Sequence, residues 1–372
     1  MKKLGVIVNP IAGMGGRVGL KGSDGIEILQ KAREMGAEPE SPRRAIEALK
    51  IIAKLKDEIE VLAYPDEMGA DECREAGLEP EAIGSIKSGE TSPEDTMEAA
   101  REMAQRGVDL ILFAGGDGTA RNIYSAIGSK IPVLGIPAGV KIHSAVYAIN
   151  PRSAGEVASL YLQGQVVNIR EAEVMDIDEE AFRQGRVNAK LYGYLKVPVE
   201  RRVQSVKSGG RSEQAEVEGM AAEVVASMEK DTLYIIGPGT TTRAIMERLE
   251  LPNTLLGVDV VLNRELVASD VGENELFNLL NQREGKAHIV VTAIGGQGHV
   301  FGRGNQQISP RVIRLVGKNN IIVVASRDKL VVLQPHPLLV DTGDPDLDQE
   351  LSGYVRVVTG WEDSIMYRIS NE

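Results

Sequence analysis

The sequence predicts an α/β protein of two domains, and three observations support this prediction. From residue 4 to residue 137, apolar strand-like runs alternate with helical patterns, which favours a Rossmann-like parallel sheet in an N-terminal α/β domain over residues 1–150. Strand-like pieces without an intervening helix fill 165–210, and a second strand–helix alternation spans 232–330. We therefore expect a second, β-rich α/β domain over 151–335. The length of 372 residues suits this division.

The first domain shows clear signals for the start and end of its elements. The stretch 108–115 is a continuous apolar run, as expected of a strand buried on both faces. Before it, Ser92 and Pro93 open a helix that Gly107 closes. The predicted elements are strand 4–10, helices 26–36 and 42–57, strand 58–65, helix 68–76, strand 82–86, helix 91–107, strand 108–115, helix 119–127 and strand 131–137.

The second domain is predicted by the same signals. Its elements are helices 153–163 and 213–228, a strand and a helix within 232–249, strand 254–262, helix 273–283, and strands 287–296, 321–326 and 328–333. We expect the last two strands to pair. A tail, 336–372, carries one further strand at 353–360, and the sequence leaves open whether this tail returns to the first domain.

Composition narrows the class of partner. The chain has 42 Lys and Arg residues against 54 Asp and Glu residues, a net charge of −12. This balance argues against a nucleic-acid or membrane partner. We expect small-molecule substrates and a homo-oligomer, since an anionic small molecule needs only a local basic patch. Cys73 is the single cysteine, and residues 4–8 form only a short apolar run, so we expect a cytoplasmic protein.

The first candidate loop is Gly-Gly-Asp-Gly-Thr, residues 115–119, between the apolar strand and a helix. Gly115, Gly116 and Gly118 would let a phosphate approach backbone N–H groups, and Thr119 would cap the helix or bond a phosphate oxygen. Asp117 would repel a bare phosphate, but it suits Mg²⁺ or a proton taken from a hydroxyl nucleophile. The alternative is a tight turn in which Asp117 bonds its own backbone.

The second candidate loop, 9–25, follows the first strand. Asn9 would hold the turn, Gly13, Gly15 and Gly16 would expose backbone, and Arg17 and Lys21 would supply positive charge. Its alternative is a flexible loop with solvated cations. The neighbouring carboxyl ends of parallel strands favour a shared phosphate site with the first loop.

Two further strand-to-helix loops lie in the second domain, and we expect both to line the substrate cleft. The third loop, 237–242, suits a phosphate or a sugar hydroxyl, and its alternative is a helix cap. The fourth, 294–310, is long, polar and glycine-rich, and its alternative is an irregular connection. The candidate residues of these loops are Gly237, Gly239, Thr240, Thr241, Gly295, Gly296, Gln297, Arg303 and Asn305.

Other polar groups give weaker signals. His143 follows a strand end, and either lines the crevice or belongs to the core. The four histidines show no metal-ligand spacing. Asp176 and 178–180 form an acidic cluster that we interpret as a solvated turn, and the basic stretch 201–211 as a solvated loop.

These motifs resemble a known family. Asn9-Pro10 with the loop at 115–119 is similar to the superfamily of NAD kinases, diacylglycerol kinases and sphingosine kinases. The segments VNPIAGMGGRVGLKGSDG, AGGDGTARNI, GIPAGVKIHSAVYAINP, IIGPGTTTR and GGQGHVFGRGNQQISP together resemble its ATP-NAD kinase-like branch, which includes acetoin-catabolism protein X. The resemblance runs from residue 4 to about residue 330.

The resemblance implies a nucleotide-binding N-terminal domain, with small-molecule nucleotide substrates bound in a cleft between the two domains. It also implies transfer of the γ-phosphoryl group of ATP, or of polyphosphate, to a hydroxyl such as the 2′-OH of the adenosine ribose of NAD. It implies that Asp117 activates the acceptor hydroxyl beside Mg²⁺, and that Gly115, Gly116, Gly118 and Thr119 bind phosphate. Two positions depart from the pattern. The nearest Asn-Glu pair to the one with which NAD kinases hold the dinucleotide is Asn274-Glu275, which lies in a helical stretch, and Asn122 stands where the branch favours an aspartate.

Three functions remain open from sequence. The first is an ATP- and Mg²⁺-dependent NAD or NADH kinase. The second is a kinase for another hydroxyl acceptor, such as a lipid, a polyol or another nucleotide. The third is a non-catalytic regulator that binds a nucleotide or a sugar phosphate, since IIGPGTTTRAIMERL also resembles the sugar-phosphate loops of isomerase-like sensor domains.

Overall fold

The structure is a computed structural model. It describes residues 1–16, 18–20, 26–139, 142–177, 189–199, 213–254, 256–283, 285–294 and 297–371. These residues form two compact units, the first within 1–14, 22–29 and 38–206, and the second within 15–21, 30–37 and 207–372. The predicted boundaries at 150 and 335 and the cleft stay predictions, because compact units do not show which segments fold independently.

The first unit is built on a five-stranded parallel sheet of order β3-β2-β1-β4-β5. Along β1, Leu4, Val6 and Val8 belong to one apolar core and Ile7 to another, so both faces of the strand are buried. The helices and strands up to the end of the sheet are β1 (Lys2–Val8), α1 (Ile26–Glu34), α2 (Ser41–Ile52), β2 (Ile59–Ala63), α3 (Ala70–Glu75), β3 (Glu81–Ala82), α4 (Pro93–Gln105), β4 (Leu110–Gly115), α5 (Asp117–Ile127) and β5 (Val133–Pro137). Residues 30–34 of α1 are assigned to the second unit.

Local chemistry explains where these elements begin. Helix α4 starts at Pro93 because the backbone N–H of Ser92 donates to Oδ2 of Asp95 over 2.8 Å, which completes a capping box. Strand β4 has all six residues buried, as its continuous apolar sequence predicts.

The first unit also contains helix α6 (Pro151–Leu162) and a two-stranded antiparallel sheet of β6 (Ile169–Ile177) and β7 (Ala189–Pro198). Ala172, Val174, Leu195 and Val197 of this hairpin are fully buried in the core that also contains Ile7. One face of the hairpin is therefore fixed to the first unit.

The second unit is built on a nine-stranded mixed sheet of order β10-β9-β8-β11-β13-β15-β16-β14-β12. Strands β8, β11, β13 and β15 run parallel to one another, and β9 and β16 run antiparallel to their neighbours β8 and β15. Its elements are α7 (Glu213–Ala226), β8 (Leu233–Ile236), α8 (Thr240–Arg248), β9 (Asp259–Leu262), β10 (Glu265–Ala268), α9 (Glu273–Asn281), β11 (Ala287–Thr292), β12 (His299–Phe301), α10 (Pro310–Val316), β13 (Ile321–Val324), α11 (Arg327–Leu333), β14 (Leu338–Val340), α12 (Pro345–Leu351), β15 (Gly353–Gly360) and β16 (Asp363–Ser370).

The predicted fold class is confirmed, since a parallel sheet precedes a second, β-rich α/β unit. One predicted element is wrong: residues 328–333 form helix α11 and do not pair with β13. Leu330 and Leu333 are buried and Val331 and Val332 are exposed, a spacing typical of a helix with one buried face. The Ser326 hydroxyl accepts the N–H of Lys329 and so forms the N-cap of this helix. The predicted strand 82–86 is also too long, because β3 ends at Ala82.

No helix in the described part of the chain is long and apolar enough to cross a membrane.

Candidate active site

The site forms where the strand order of the first sheet reverses. Strands β1 and β4 are neighbours at the centre, with β2 beyond one and β5 beyond the other. In open parallel sheets, ligands bind beyond the carboxyl ends of the strands at such a point. Asn9 follows β1 and Gly116 follows β4, so the beginnings of the two predicted phosphate loops meet there.

Asn9 connects the two strand ends. Its Nδ2 donates to Oγ1 of Thr119 over 3.0 Å, and its backbone N–H donates to the carbonyl of Ala114 over 3.0 Å. Its Oδ1 accepts the N–H of Ile11 over 3.3 Å, which closes the turn after β1. Asn9 therefore holds the turn after β1 through its bond with Ile11 and links that turn to the end of β4 and the start of α5 through the other two, while its phosphate-binding role stays a prediction.

Asp117 is the first residue of α5, and its side chain is held by residues of the segment that follows β5. Its Oδ2 accepts the backbone N–H of His143 over 2.7 Å, and its Oδ1 accepts the N–H of Ser144 over 3.0 Å. Nδ1 of His143 lies 3.3 Å from the same Oδ2. Asp117 is 6% exposed and His143 is 8% exposed. A carboxylate accepts about four hydrogen bonds, so it retains capacity for a cation or a hydroxyl.

The glycines of the loop have different surroundings. A Cβ on Gly115 would lie 2.3 Å from Oγ1 of Thr119, whereas a Cβ on Gly118 would meet nothing within 4 Å. A Cβ on Gly116 would lie 3.1 Å from Cα of Gly139. Gly118 thus leaves open space beside the start of α5, where the helix dipole favours an anion.

A second layer of contacts fixes the loop. The hydroxyl of Tyr147 donates to the carbonyl of Gly116 over 2.5 Å, and the N–H groups of Ala138 and Gly139 donate to the carbonyl of Gly115. Gly13 has φ +82°, and a Cβ there would lie 2.2 Å from the carbonyl oxygen of Ala138. Only glycine fits this close approach with a left-handed backbone.

Other residues of the second loop are placed differently. Gly15 and Gly16 belong to the second unit, where a Cβ on Gly16 would lie 3.3 Å from the Gln306 side chain. Arg17 and Lys21 lie outside the described residues. Asn122 is half-buried in α5, and its phosphate-binding role stays a prediction.

The third loop follows β8 in the second unit. Gly239 has φ +136° and immediately precedes α8, with Thr240 exposed and Thr241 buried at the helix start. Nζ of Lys329 lies 2.9 Å from Oγ1 of Thr241. Gly237 is buried at the end of β8. The third loop therefore leads into helix α8, and the ammonium group of Lys329 contacts the start of that helix.

The polar residues of the fourth loop are buried in the second unit. Gln297, Arg303 and Asn305 are all at most 5% exposed. Asn305 accepts the N–H of Gly302 over 3.1 Å and donates to the carbonyl of Val300 over 2.8 Å, so its side chain folds its own loop. Gly295 and Gly296 lie outside the described residues. The role of this loop in a substrate cleft stays a prediction.

Sequence analysis missed a cluster beside the first loop. Nη1 of Arg121, in α5, lies 2.6 Å from Oδ2 of Asp176, in β6. The Arg121 guanidinium and Nζ of Lys190 lie 5.6 Å and 5.2 Å from the centre of the Tyr192 ring. Asp176 is therefore ion-paired within a strand and is not part of a solvated turn, while 178–180 and 201–211 lie outside the described residues. The pair is 55 positions apart, so no local pattern indicates it.

The described residues contain no group of three or more His, Cys, Asp or Glu side chains that could hold a metal ion. A Mg²⁺ ion at this site would take the Asp117 carboxylate as a ligand and complete its shell with phosphate oxygens and water, as Mg²⁺ commonly does.

Comparison with known proteins identifies the family. The model of the ATP-NAD kinase N-terminal domain matches residues 4–166, and that of the ATP-NAD kinase C-terminal domain matches residues 231–369. No curated protein matches the chain.

Similar solved structures include two from Bacillus anthracis str. Sterne. One is described as a diacylglycerol kinase and the other as a "putative diacylglycerol kinase". The first is 18% identical with a TM-score of 0.22, over 48% of this chain and 47% of its own. The second is 17% identical with a TM-score of 0.25, over 48% and 45%. This chain thus spans less than half of their length. The two family models together cover most of the 372 residues, and the chain belongs to the ATP-NAD kinase family.

Proposed function

We propose that this protein is an ATP-dependent kinase that transfers a phosphoryl group to a ribose hydroxyl of NAD or NADH, with Mg²⁺. Membership of the ATP-NAD kinase family supports a kinase-type function. The observation that carries the proposal is the fixed carboxylate of Asp117, held by the amides of His143 and Ser144 at the sheet's central strand ends.

The chemistry suits such a site because phosphoryl transfer depends on positioning and charge neutralisation more than on covalent help from the protein. Mg²⁺ would supply the charge that offsets the phosphates. Asp117 would accept the proton of the acceptor hydroxyl or hold the metal, with its orientation set by two amide hydrogen bonds. The open space at Gly118 would admit phosphate oxygens beside the start of α5.

The decisive experiment is NADP formation by the purified protein from NAD, Mg²⁺ and either ATP or polyphosphate. We expect Asp117→Asn to lower the rate by about 10²- to 10⁴-fold, because a proton acceptor or metal ligand is lost. Asp71→Asn is the matched control, since Asp71 is an exposed carboxylate ion-paired with Arg74 on α3. Undiminished NADP formation by Asp117→Asn would refute the role of Asp117.

A second candidate is a kinase with another acceptor. Two departures from the family pattern favour it: the nearest Asn-Glu pair, Asn274-Glu275, lies within helix α9, and Asn122 stands where the branch favours an aspartate. A panel of hydroxyl acceptors with labelled ATP separates the two, because transfer to a polyol, lipid or other nucleotide but not to NAD would replace the first proposal.

A third candidate is a regulator that binds a nucleotide or sugar phosphate without turnover. The contact between Lys329 and Thr241 favours it, because it places a cation at the start of α8. Saturable sugar-phosphate binding that is lost in Lys329→Gln, with no phosphoryl transfer to any acceptor, would support this candidate over a kinase.

A further inference from the structure

The cluster of Arg121, Asp176, Lys190 and Tyr192 includes a residue of the helix that begins at Asp117, and the function proposed above assigns it no role. It begins with an irregularity in the β6–β7 hairpin. Val174 pairs with Gly193 and Met175 pairs with Leu191, so Tyr192 is left without a paired residue on β6. This is a β-bulge, a feature that redirects side chains and is over-represented next to active sites.

The bulge turns two consecutive residues of β7 towards α5. A Cβ on Gly193 would lie 2.1 Å from the ring of Tyr124, and the ring of Tyr192 lies against the guanidinium of Arg121. In a regular strand, adjacent residues face opposite sides. The irregularity therefore allows Gly193 to pack closely on the helix while Tyr192 reaches Arg121.

Among the described residues, Arg121 is held on two sides and keeps further N–H donors available. Its Nη1 pairs with Asp176, its guanidinium lies over Tyr192, and its side chain is 34% exposed. A guanidinium has five N–H donors in a planar fork, and the ion pair with Asp176 engages Nη1. The remaining edge suits a phosphate group.

The position of Arg121 relates this cluster to the phosphate loop. Arg121 is four residues after Asp117 in the same helix, so the two side chains leave the same face one turn apart. Lys190 pairs across the hairpin with Asp176 and brings a second cation to the Tyr192 ring. Two cations thus contact the same aromatic ring in a chain of net charge −12, and Arg121 lies one helical turn from the carboxylate of the loop.

We infer that Arg121 and Lys190 bind the phosphate groups of a nucleotide held at the Gly115–Thr119 loop. Asp176 and Tyr192 are positioning residues that orient the Arg121 guanidinium. The inference rests on the proposed function in placing a nucleotide at this loop, but it concerns binding and does not depend on which acceptor is phosphorylated.

The test is calorimetric binding of ATP, NAD and inorganic tripolyphosphate, each alone, so that no turnover occurs. We expect Arg121→Gln to weaken ATP and tripolyphosphate binding by about 10- to 100-fold, as expected for a lost charge-assisted hydrogen bond. Lys190→Gln weakens both by a smaller factor. Tyr192→Leu changes no charge, so weaker tripolyphosphate binding by this variant shows positioning of Arg121.

Arg74→Gln is the matched control, because Arg74 is also an ion-paired helical arginine of the first unit. Thermal unfolding checks that each variant folds. If Arg121→Gln does not fold, the binding affinities of Lys190→Gln become the test, because Lys190 is exposed and its substitution leaves the core intact. Unchanged ATP and tripolyphosphate affinity in Arg121→Gln, or in Lys190→Gln where that variant decides, overturns the inference. So does a wild-type protein that binds no nucleotide. Arg121-dependent binding of ATP without NADP formation upholds this inference and refutes NAD phosphorylation.

Discussion

Asn9 and Thr119 are joined by a hydrogen bond of 3.0 Å between Nδ2 and Oγ1, although they are 110 positions apart. The bond ties the residue that follows β1 to the first turn of the helix that follows β4. It therefore fixes the spacing between the two central strand ends, where the Asp117 carboxylate lies.

A double-mutant cycle measures this link. We expect Asn9→Ala and Thr119→Val each to lower the free energy of unfolding by about 1 kcal/mol, the typical net value of one hydrogen bond. The double variant should lose less than the sum, with a coupling energy of about 1 kcal/mol by urea unfolding. Strictly additive losses would show that the bond contributes nothing to stability.

Two glycines of the same loop should respond differently to alanine. Gly118→Ala places its methyl group in open space and favours helix, so the protein should gain up to about 1 kcal/mol of stability. If phosphate approaches there, nucleotide binding should fall at the same time. Gly115→Ala is the companion variant, and its methyl group would overlap Thr119, so it should unfold more readily. Thermal unfolding and ATP titration of both variants separate packing from ligand access.

Tyr147 should contribute through two separable contacts. Tyr147→Phe removes the hydrogen bond to the Gly116 carbonyl and should cost about 1 kcal/mol. Tyr147→Leu also removes the ring, which packs edge-on against Phe113 at 5.3 Å and occupies the space beside Gly135, so it should cost about 3 kcal/mol. Equal losses in urea unfolding for the two variants would assign the effect to the hydroxyl alone.

Glu72 should make stability depend on pH. Burial raises the pKa of Glu72 from 4.5 to about 7, and its Oε2 has no hydrogen-bond partner among the described residues. Because the folded state holds the proton more tightly, the stabilising effect is complete below pH 4.5 and is lost as the pH rises through 7. The loss corresponds to roughly 3 kcal/mol.

Glu72→Gln tests this dependence, since its side chain is neutral throughout. Relative to wild type, its free energy of unfolding should rise by roughly 3 kcal/mol between pH 4.5 and pH 8. Glu75→Gln, at an exposed site on the same helix, serves as the control. A constant difference between Glu72→Gln and wild type across this range would show that Glu72 titrates normally.

The sequence predicts best where local chemistry and burial agree. Strand β4 and helix α4 are examples, because a continuous apolar run and a capping box each specify one structure. Helix α11 was mispredicted because its two adjacent valines favour a strand, whereas Ser326 caps a helix and the burial of Leu330 and Leu333 follows helical spacing.

The sequence indicates which loops carry the candidate site, but it does not indicate the side-chain contacts within that site. The position of Asp117 after a buried strand indicates a ligand edge, yet nothing local shows that the amides of His143 and Ser144 hold its carboxylate. The pairing of Arg121 with Asp176 depends likewise on how the hairpin packs against α5. Contacts between distant segments arise from tertiary packing, which short sequence patterns do not encode.

The order of strands in the second sheet has a consequence for protein synthesis. Strands β15 and β16 lie between β13 and β14 in this sheet. Before residue 353 is synthesised, the strands of the second sheet can therefore form only two separate pieces, β10-β9-β8-β11-β13 and β14-β12. A nascent chain that stops short of these strands leaves the edges of β13 and β14 unpaired and open to association with other chains. The second unit therefore closes its sheet only after residues 353–370 have left the ribosome, and stalled or truncated products should be the ones that chaperones retain.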